Sequence, residues 1–205
     1  IIDPWGGQKD LELKIIRHVS DAFSEDPLRV FRAARFSARF ANLGFSIAPE
    51  TLELMQRMLS ENEIANIRGE RIWKETEHAL ATNSPEIFFE VLNKCNALKI
   101  VFPGTEKINS AQILLSLNTL KYSAEISLDS RVRFASLVHQ LTKGLEDVKK
   151  VQNEIFSYLK PPNKYRNLIK SVQLLATKYL TIMELNGAHL GLLHKELNAS
   201  QKNND

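Results

Sequence analysis

From Asp26 onward the apolar residues recur at three- and four-residue intervals, and this period limits the fold more than any other feature of the chain. A chain patterned this way must bury stripes of helices against one another, so a mainly α fold is expected. Pro27 suits the first position of a long helix and Gly44 the residue just past its end. Further helices are expected over Thr51–Leu59, Glu70–Ala81, from Ser84-Pro85 through Leu92, and over Ser110–Leu120, Ser130–Leu141, Asp147–Leu159, Asn163–Tyr179 and Ile182–Leu197. Phe102-Pro103-Gly104 and Pro161-Pro162 read as breaks. Only Ile1-Ile2 and Ile15–Val19 look like strands, and Gln201–Asp205 reads as a frayed polar tail.

The apolar fraction of 43% against 25% charged residues excludes intrinsic disorder, because enough apolar surface is available to offset chain entropy. No apolar run approaches ~18 residues and no charged-then-apolar leader opens the chain, so neither a membrane span nor a secretory signal is read. The one cysteine, Cys95, can neither close an internal disulfide nor build a zinc site alone, which fits a cytoplasmic setting. The chain opens Ile1-Ile2-Asp3-Pro4 without an initiator Met, as expected for a piece of a longer protein whose first domain lies upstream; an internally processed start is the alternative. The net charge of +3 says little about partners. Its distribution says more: from Lys143 to Lys178 eight Lys or Arg stand against three Asp or Glu, either a solvated helical face or a surface for phosphates.

The helix after Pro27 carries the most information. On a wheel at ~100° per residue, Arg29, Arg32, Arg35 and Arg39 fall within an arc of roughly 120°, and Val30, Phe31, Ala33, Ala34, Ala38, Phe40 and Ala41 fill the other side. The small residues allow another element to approach the backbone closely. Four guanidiniums on one stripe need anions among them. Nucleotide or RNA phosphates satisfy that demand, and so does a salt-bridge network with a neighbouring helix.

Glu25-Asp26-Pro27-Leu28-Arg29 stands at the head of this stripe. Acidic residues at a helix start favour the dipole, Pro suits the first turn, and Asp26 can pair with Arg29 one turn on, so a helix cap explains the pentapeptide. Hydrogen-bond polarity offers a second explanation. A carboxylate only accepts and a guanidinium only donates, so the two side by side form an acceptor–donor edge. Cytosine presents its N4 amino group beside N3, and adenine N6 beside N1, in the complementary order. Guanine and uracil present a carbonyl beside N–H, the reverse. One fixed pair thus admits CTP and ATP and rejects UTP and GTP, at ~1–3 kcal/mol per mismatched bidentate contact.

Asp3-Pro4-Trp5-Gly6-Gly7 followed by Asp10-Leu11 resembles the DPxGGxxDL motif that closes the catalytic head of class II tRNA nucleotidyltransferases, the CCA-adding enzymes and their bacterial poly(A) polymerase relatives. Glu25 through Phe36 resembles their neck motif EDPLRxxRAxRF, in the right order and at a fitting distance. Gly44 to Thr51 is similar to the family's GFxIAPET turn, Glu70 to Glu75 to its ERxWxE segment, and Phe88 through Leu98 with Phe102-Pro103 to the end of its body domain. Arg133 to Gly144 resembles RFAxLxHDLGKG, the mark of an HD phosphohydrolase-like domain in one type of CCA-adding enzyme, which favours the CCA branch. Gln140 replaces the metal-binding Asp of that string, and Leu145 to Ile155 holds no further His, so a helix kept for packing is expected there and no metal site. His18, His78, His189 and His194 show no ligand spacing.

The resemblance implies helical neck and body domains with a helical, degenerate HD-like tail, preceded by a short α+β remnant of the nucleotidyltransferase head. The implied bounds are 1–23, 24–105 and 106–205. Asp26 and Arg29 would read the incoming base, with Glu25 beside them; Arg32 would help hold the nucleotide, and Arg35 would contact its phosphates or support the helix. Arg71 and Trp73 would pack neck against body, and Phe31, Phe36 and Phe40 would be core. The metal-binding carboxylates of the family lie upstream of DPxGG, so Mg2+ is expected in the complete enzyme, outside this chain, and the chain alone is expected to be inert. The implied partners are ATP, CTP, the tRNA acceptor arm, braced in part by the basic stretch, and a head domain in cis or trans. A poly(A) polymerase, or a non-catalytic helical RNA-binding module, remains the alternative.

Overall fold

The computed structural model describes residues 2–60 and 67–182. Ten helices run through them: α1 Gly7–Glu12, α2 Leu28–Phe40, α3 Pro49–Ser60, α4 Gly69–Leu80, α5 Pro85–Lys94, α6 Leu98–Val101, α7 Ser110–Ile126, α8 Ser130–Thr142, α9 Val148–Leu159 and α10 Asn163–Ile182. Two strands, β1 (Ile15–Ile16) and β2 (Ser46–Ile47), form a parallel ladder with Ile15 opposite Ser46 and Ile16 opposite Ile47. The fold is mainly α, as the periodicity requires.

Most helix ends sit where Pro, Gly and side-chain caps put them. Pro85 opens α5 as expected, whereas α2 ends at Phe40 and Gly44, with φ +84°, closes the 3-10 turn that follows it rather than the helix itself. Asn109, Asp129 and Asp147 accept from the backbone N–H of Gln112, Arg131 and Lys150 at 2.8–2.9 Å, capping α7, α8 and α9. Lys160 ends α9 in the left-handed region, just before Pro161-Pro162.

Four expectations need correction. The strand read over Ile15–Val19 is two residues long, and its partner is Ser46–Ile47, across the whole of α2. Ile2 is exposed and outside any strand, while Ile1 lies outside the described residues. Helix α7 continues six residues past Leu120, with Ser123 buried and its hydroxyl turned back to the Leu120 carbonyl. Helix α10 runs on without a break from Tyr179 to Ile182; the helix expected to Leu197, the tail and His189 and His194 lie outside the described residues.

One hydrophobic cluster joins these helices. It reaches from Leu28 and Phe31 on α2 through Phe88, Phe89 and Phe102 to Phe134 on α8 and Tyr165 and Ile169 on α10. Helix α2 lays Ala33, Ala34 and Ala38 against α4 and α5, the close approach its small residues permit. Trp73 of α4 meets Phe134 and Tyr165 edge-on, at ring-centroid distances of 5.0 and 4.8 Å. At the start of α4 the contact is tighter still: a Cβ on Gly69 would stand 1.7 Å from the Tyr158 carbonyl oxygen of α9. Arg133, 2% exposed, crosses the interior and donates to the carbonyls of Leu80, Thr82, Ala124 and Ser127, at the ends of α4 and α7.

Candidate functional site

The N-terminal motifs assemble one side of a cleft. Asp3 accepts from Gly7 N–H at 2.9 Å and Gln8 N–H at 2.8 Å, which starts α1 and holds its carboxyl below the ordinary range. Gly6 sits at φ +70°, where a Cβ would be strained. Asp10 and Glu50 both hold Arg17, the former at 3.0 Å. Thr51, buried at the start of α3, accepts from the His18 backbone N–H at 3.1 Å and meets its Nδ1 at 2.8 Å. The β1–β2 ladder thus delivers Arg17 and His18 to the flank of α2. There they line a cleft of about 340 Å³ with Phe23, Arg29, Arg32 and Phe36.

The expected site residues separate at this point. Arg29 and Arg32 enter the cleft wall; Glu25, Asp26 and Arg35 do not. Arg29 donates to the carbonyl of Ala22 in the 3-10 turn Asp21–Glu25. Asp26 is extended (φ −130°), so its carboxylate turns forward to accept from the Leu28 N–H at 3.0 Å and across to Arg71 of α4 at 3.2 Å. The pairing of Asp26 with Arg29 is therefore not found: each is held by a third group, although Arg29 N–H does bond the Asp26 carbonyl at 2.9 Å. Asp26 thus bonds the first N–H of α2 from the residue before its N-cap, Pro27, but without the Arg29 pairing that the first explanation included. Glu25 is exposed, with no hydrogen bond or ion pair among the described residues.

The arginine stripe divides in the same way. Arg35 is bonded to Glu75 of α4 at 2.5 Å, both side chains 15% exposed, and its guanidinium lies 4.3 Å from the centre of the Phe36 ring. It pins α2 to α4. Arg32 and Arg39 are exposed and have no carboxylate partner among the described residues. Phe31 is in the core, but Phe36 and Phe40 are only partly buried, stacked on each other at 6.1 Å on the cleft side, which corrects their assignment as core. Trp73 packs α4 against α8 and α10; Arg71 instead stays exposed and anchors Asp26.

Comparison with known proteins gives this arrangement a context. Residues 44–108 match the family described as "Probable RNA and SrmB- binding site of polymerase A". A CCA-adding enzyme in complex with CTP matches 89% of this chain and 42% of its own, at 24% identity and a TM-score of 0.66. The Thermotoga maritima CCA-adding enzyme complexed with tRNA matches at 23% identity and 0.67, over 89% and 43%. A tRNA-processing enzyme complex matches at 22% identity and 0.72, over 97% and 55%. Residues 44–108 thus match that family's model, and the chain shares the fold of the CCA-adding enzymes. It spans about half the length of these solved relatives.

The string from Arg133 to Gly144 is a packing element in this fold. Phe134, Leu137, Val138 and Leu141 of α8 are buried, His139 Nδ1 meets Gln173 Oε1 at 3.2 Å, and the Gln140 carbonyl accepts from Gln112. Among the described residues no group of three or more His, Cys, Asp or Glu is placed to hold a metal ion, and no helix is long and apolar enough to cross a membrane. Sequence reasoning missed His18, whose only signal was a Thr thirty-three residues away, and Arg17, whose partners Asp10 and Glu50 no local pattern brings together.

Proposed function

We propose that this chain is the base-selecting and RNA-binding part of a cytoplasmic tRNA CCA-adding nucleotidyltransferase, which adds C, C and A to tRNA 3′ ends from CTP and ATP. The observation that carries the proposal is how the start of α2 is anchored. Asp26 and Arg29 are each held from outside the pair, by Leu28 N–H and Arg71 and by the Ala22 carbonyl. An ionised carboxylate has about four acceptor positions and a guanidinium five N–H donors, so both keep capacity for a base after these bonds are made. Capping and base reading use different lone pairs of one carboxylate and coexist. Cytosine and adenine would complement an edge made from the remaining Asp26 acceptor positions and Arg29 donors, and Arg32, in the cleft wall with Arg29, suits the phosphates.

Residues 1–23 then end the head domain, 24–105 form neck and body, and 106–205 the HD-like tail. Among the described residues no group of His, Cys, Asp or Glu is placed to hold a metal ion, and the proposal assigns Mg2+ and the transfer step to a head domain, in cis or trans. Exposed Lys149, Lys150, Lys164 and Lys170 on α9 and α10 offer phosphate contacts to the tRNA acceptor arm. The name of the matched family favours one second reading, a poly(A) polymerase, which the same edge serves through adenine alone.

The test is incorporation of labelled CTP and ATP into tRNA lacking its 3′ CCA, by this chain joined to a nucleotidyltransferase head with Mg2+. Addition of two C and one A supports the proposal. Addition of A alone, in runs, replaces it with the second reading, and RNA binding without any nucleotide preference refutes both.

A further inference from the structure

On the other flank of α2, where it meets the C-terminal turn of α4 and the Ala81–Asn83 turn, lies a groove of about 700 Å³. Its cations differ in how they are used. Arg35 is taken up by Glu75, whereas Arg32 and Arg39 reach solvent without a carboxylate partner among the described residues. Arg39 rests over the Phe40 ring at 5.7 Å. Seven residues at 1.5 Å rise separate Arg32 from Arg39 by about 10 Å along the helix axis, with the Arg35–Glu75 pair between them. A compact anion in the middle of the groove would meet the Glu75 carboxylate. Two phosphates joined through a sugar can straddle it, one at each end. The far wall carries His78 and Asn83, both exposed. An imidazole ring stacks on bases, and an amide both donates to and accepts from a base edge.

We propose that this groove holds a single-stranded stretch of RNA, with one phosphate at Arg39, the next toward Arg32, and a base against His78. His78 and Asn83 lie within the matched residues 44–108. The inference deepens the RNA-binding half of the proposed function and rests on it, but it concerns a groove that shares only Arg32 with the cleft that holds Arg29 and His18.

Fluorescence anisotropy of the full chain with a fluorescein-labelled, mixed-sequence single-stranded oligoribonucleotide tests it, with CTP binding followed in parallel. Arg39→Gln should weaken RNA binding about fivefold to tenfold and lower the slope of log K against log salt by about 0.7, the value for one phosphate contact on a single strand. Arg39→Lys should keep that slope. His78→Ala should weaken RNA about tenfold and leave the slope unchanged, since stacking releases no counterions. CTP affinity should be the same in all three. If the parent binds RNA and both Arg39→Gln and His78→Ala bind it equally well with the parental slope, the groove inference falls and the proposed function stands. If the parent binds no RNA, both fall. Displacement of the RNA by inorganic tripolyphosphate at matched phosphate concentration would make the groove a general anion site and overturn its assignment to an RNA strand.

Discussion

Replacing Arg133 by Met removes a buried cation and strands the carbonyls it serves. Its Nη1 donates to Leu80 O at 2.7 Å and Thr82 O at 2.8 Å, Nε to Ser127 O at 2.8 Å, and Nη2 to Ala124 O at 3.0 Å. These oxygens belong to the last turns of α4 and α7 and the residues just past them, where helices leave carbonyls without internal partners. The bond to Leu80 is buried, so its carbonyl is left without water, at about 1–3 kcal/mol. The other three bonds are partly buried, and solvent replaces them at about 0.5–1 kcal/mol each. Relief of the desolvated charge, which already lowers the Arg133 pKa, returns part of this. A net loss of about 3 kcal/mol is expected, a large share of the ~5–15 kcal/mol typical of a folded domain. At ~2 kcal/mol/M for urea that is a midpoint shift of about 1.5 M, read by far-ultraviolet circular dichroism. Arg133→Lys should recover less than half, because one ammonium cannot span two helix ends as the planar fork does. An Arg133→Met variant that unfolds within about 0.5 kcal/mol of the parent would refute the argument, since surface substitutions have effects of that size.

Gly69→Ala should cost more than about 3 kcal/mol, because its Cβ meets backbone of α9 at 1.7 Å and two helices must separate; an unchanged urea midpoint would contradict that packing. Arg35→Gln should cost about 1 kcal/mol through the lost Glu75 bond yet leave CTP affinity unchanged, and a double-mutant cycle with Glu75→Gln should return a coupling of similar size. Tyr165 donates to Glu77 at 2.8 Å and meets Ser130 Oγ at 2.7 Å; chiefly through burial its hydroxyl is pushed up to about 12 from an ordinary 10.0. A raised folded-state pKa adds stability that is complete below the unfolded pKa and vanishes above the folded one. The parent should therefore lose stability relative to Tyr165→Phe between about pH 10 and 12, and parallel pH profiles of the two would refute the assignment.

Helix ends were legible where Pro stands at a fixed offset, as at Pro85 and Pro161-Pro162, but not at Gly44, since α2 ends at Phe40 and the glycine closes the 3-10 turn that follows. The β1–β2 ladder was not, because two residues give no period and the partner lies thirty-one positions on. Helix α1 was hidden by the glycines at its start, whose conformation Asp3 supplies from outside the helix. The arginine stripe was visible, but not its division into a pin at Arg35 and solvent-facing Arg32 and Arg39, which depends on Glu75 forty residues away. The same holds for Asp26, whose acidic cap was readable and whose second anchor, Arg71, was not. A cation at Arg133 reads as surface in any pattern, and only the meeting of two helix ends around it makes it interior.

The central claim is that Asp26 and Arg29 choose the base. It is tested most directly by single-nucleotide incorporation into tRNA, with each of the four triphosphates, by the chain joined to its head domain as parent, Asp26→Ala and Arg29→Ala. Loss of a cap costs ~1 kcal/mol, so both variants should remain folded by circular dichroism. Each should lower use of CTP and ATP and narrow the margin over UTP and GTP by roughly tenfold or more, for a lost bidentate contact of ~1–3 kcal/mol. Variants that melt earlier but keep the parental preference for CTP and ATP would show the pair to be a helix cap alone, and the claim would be wrong.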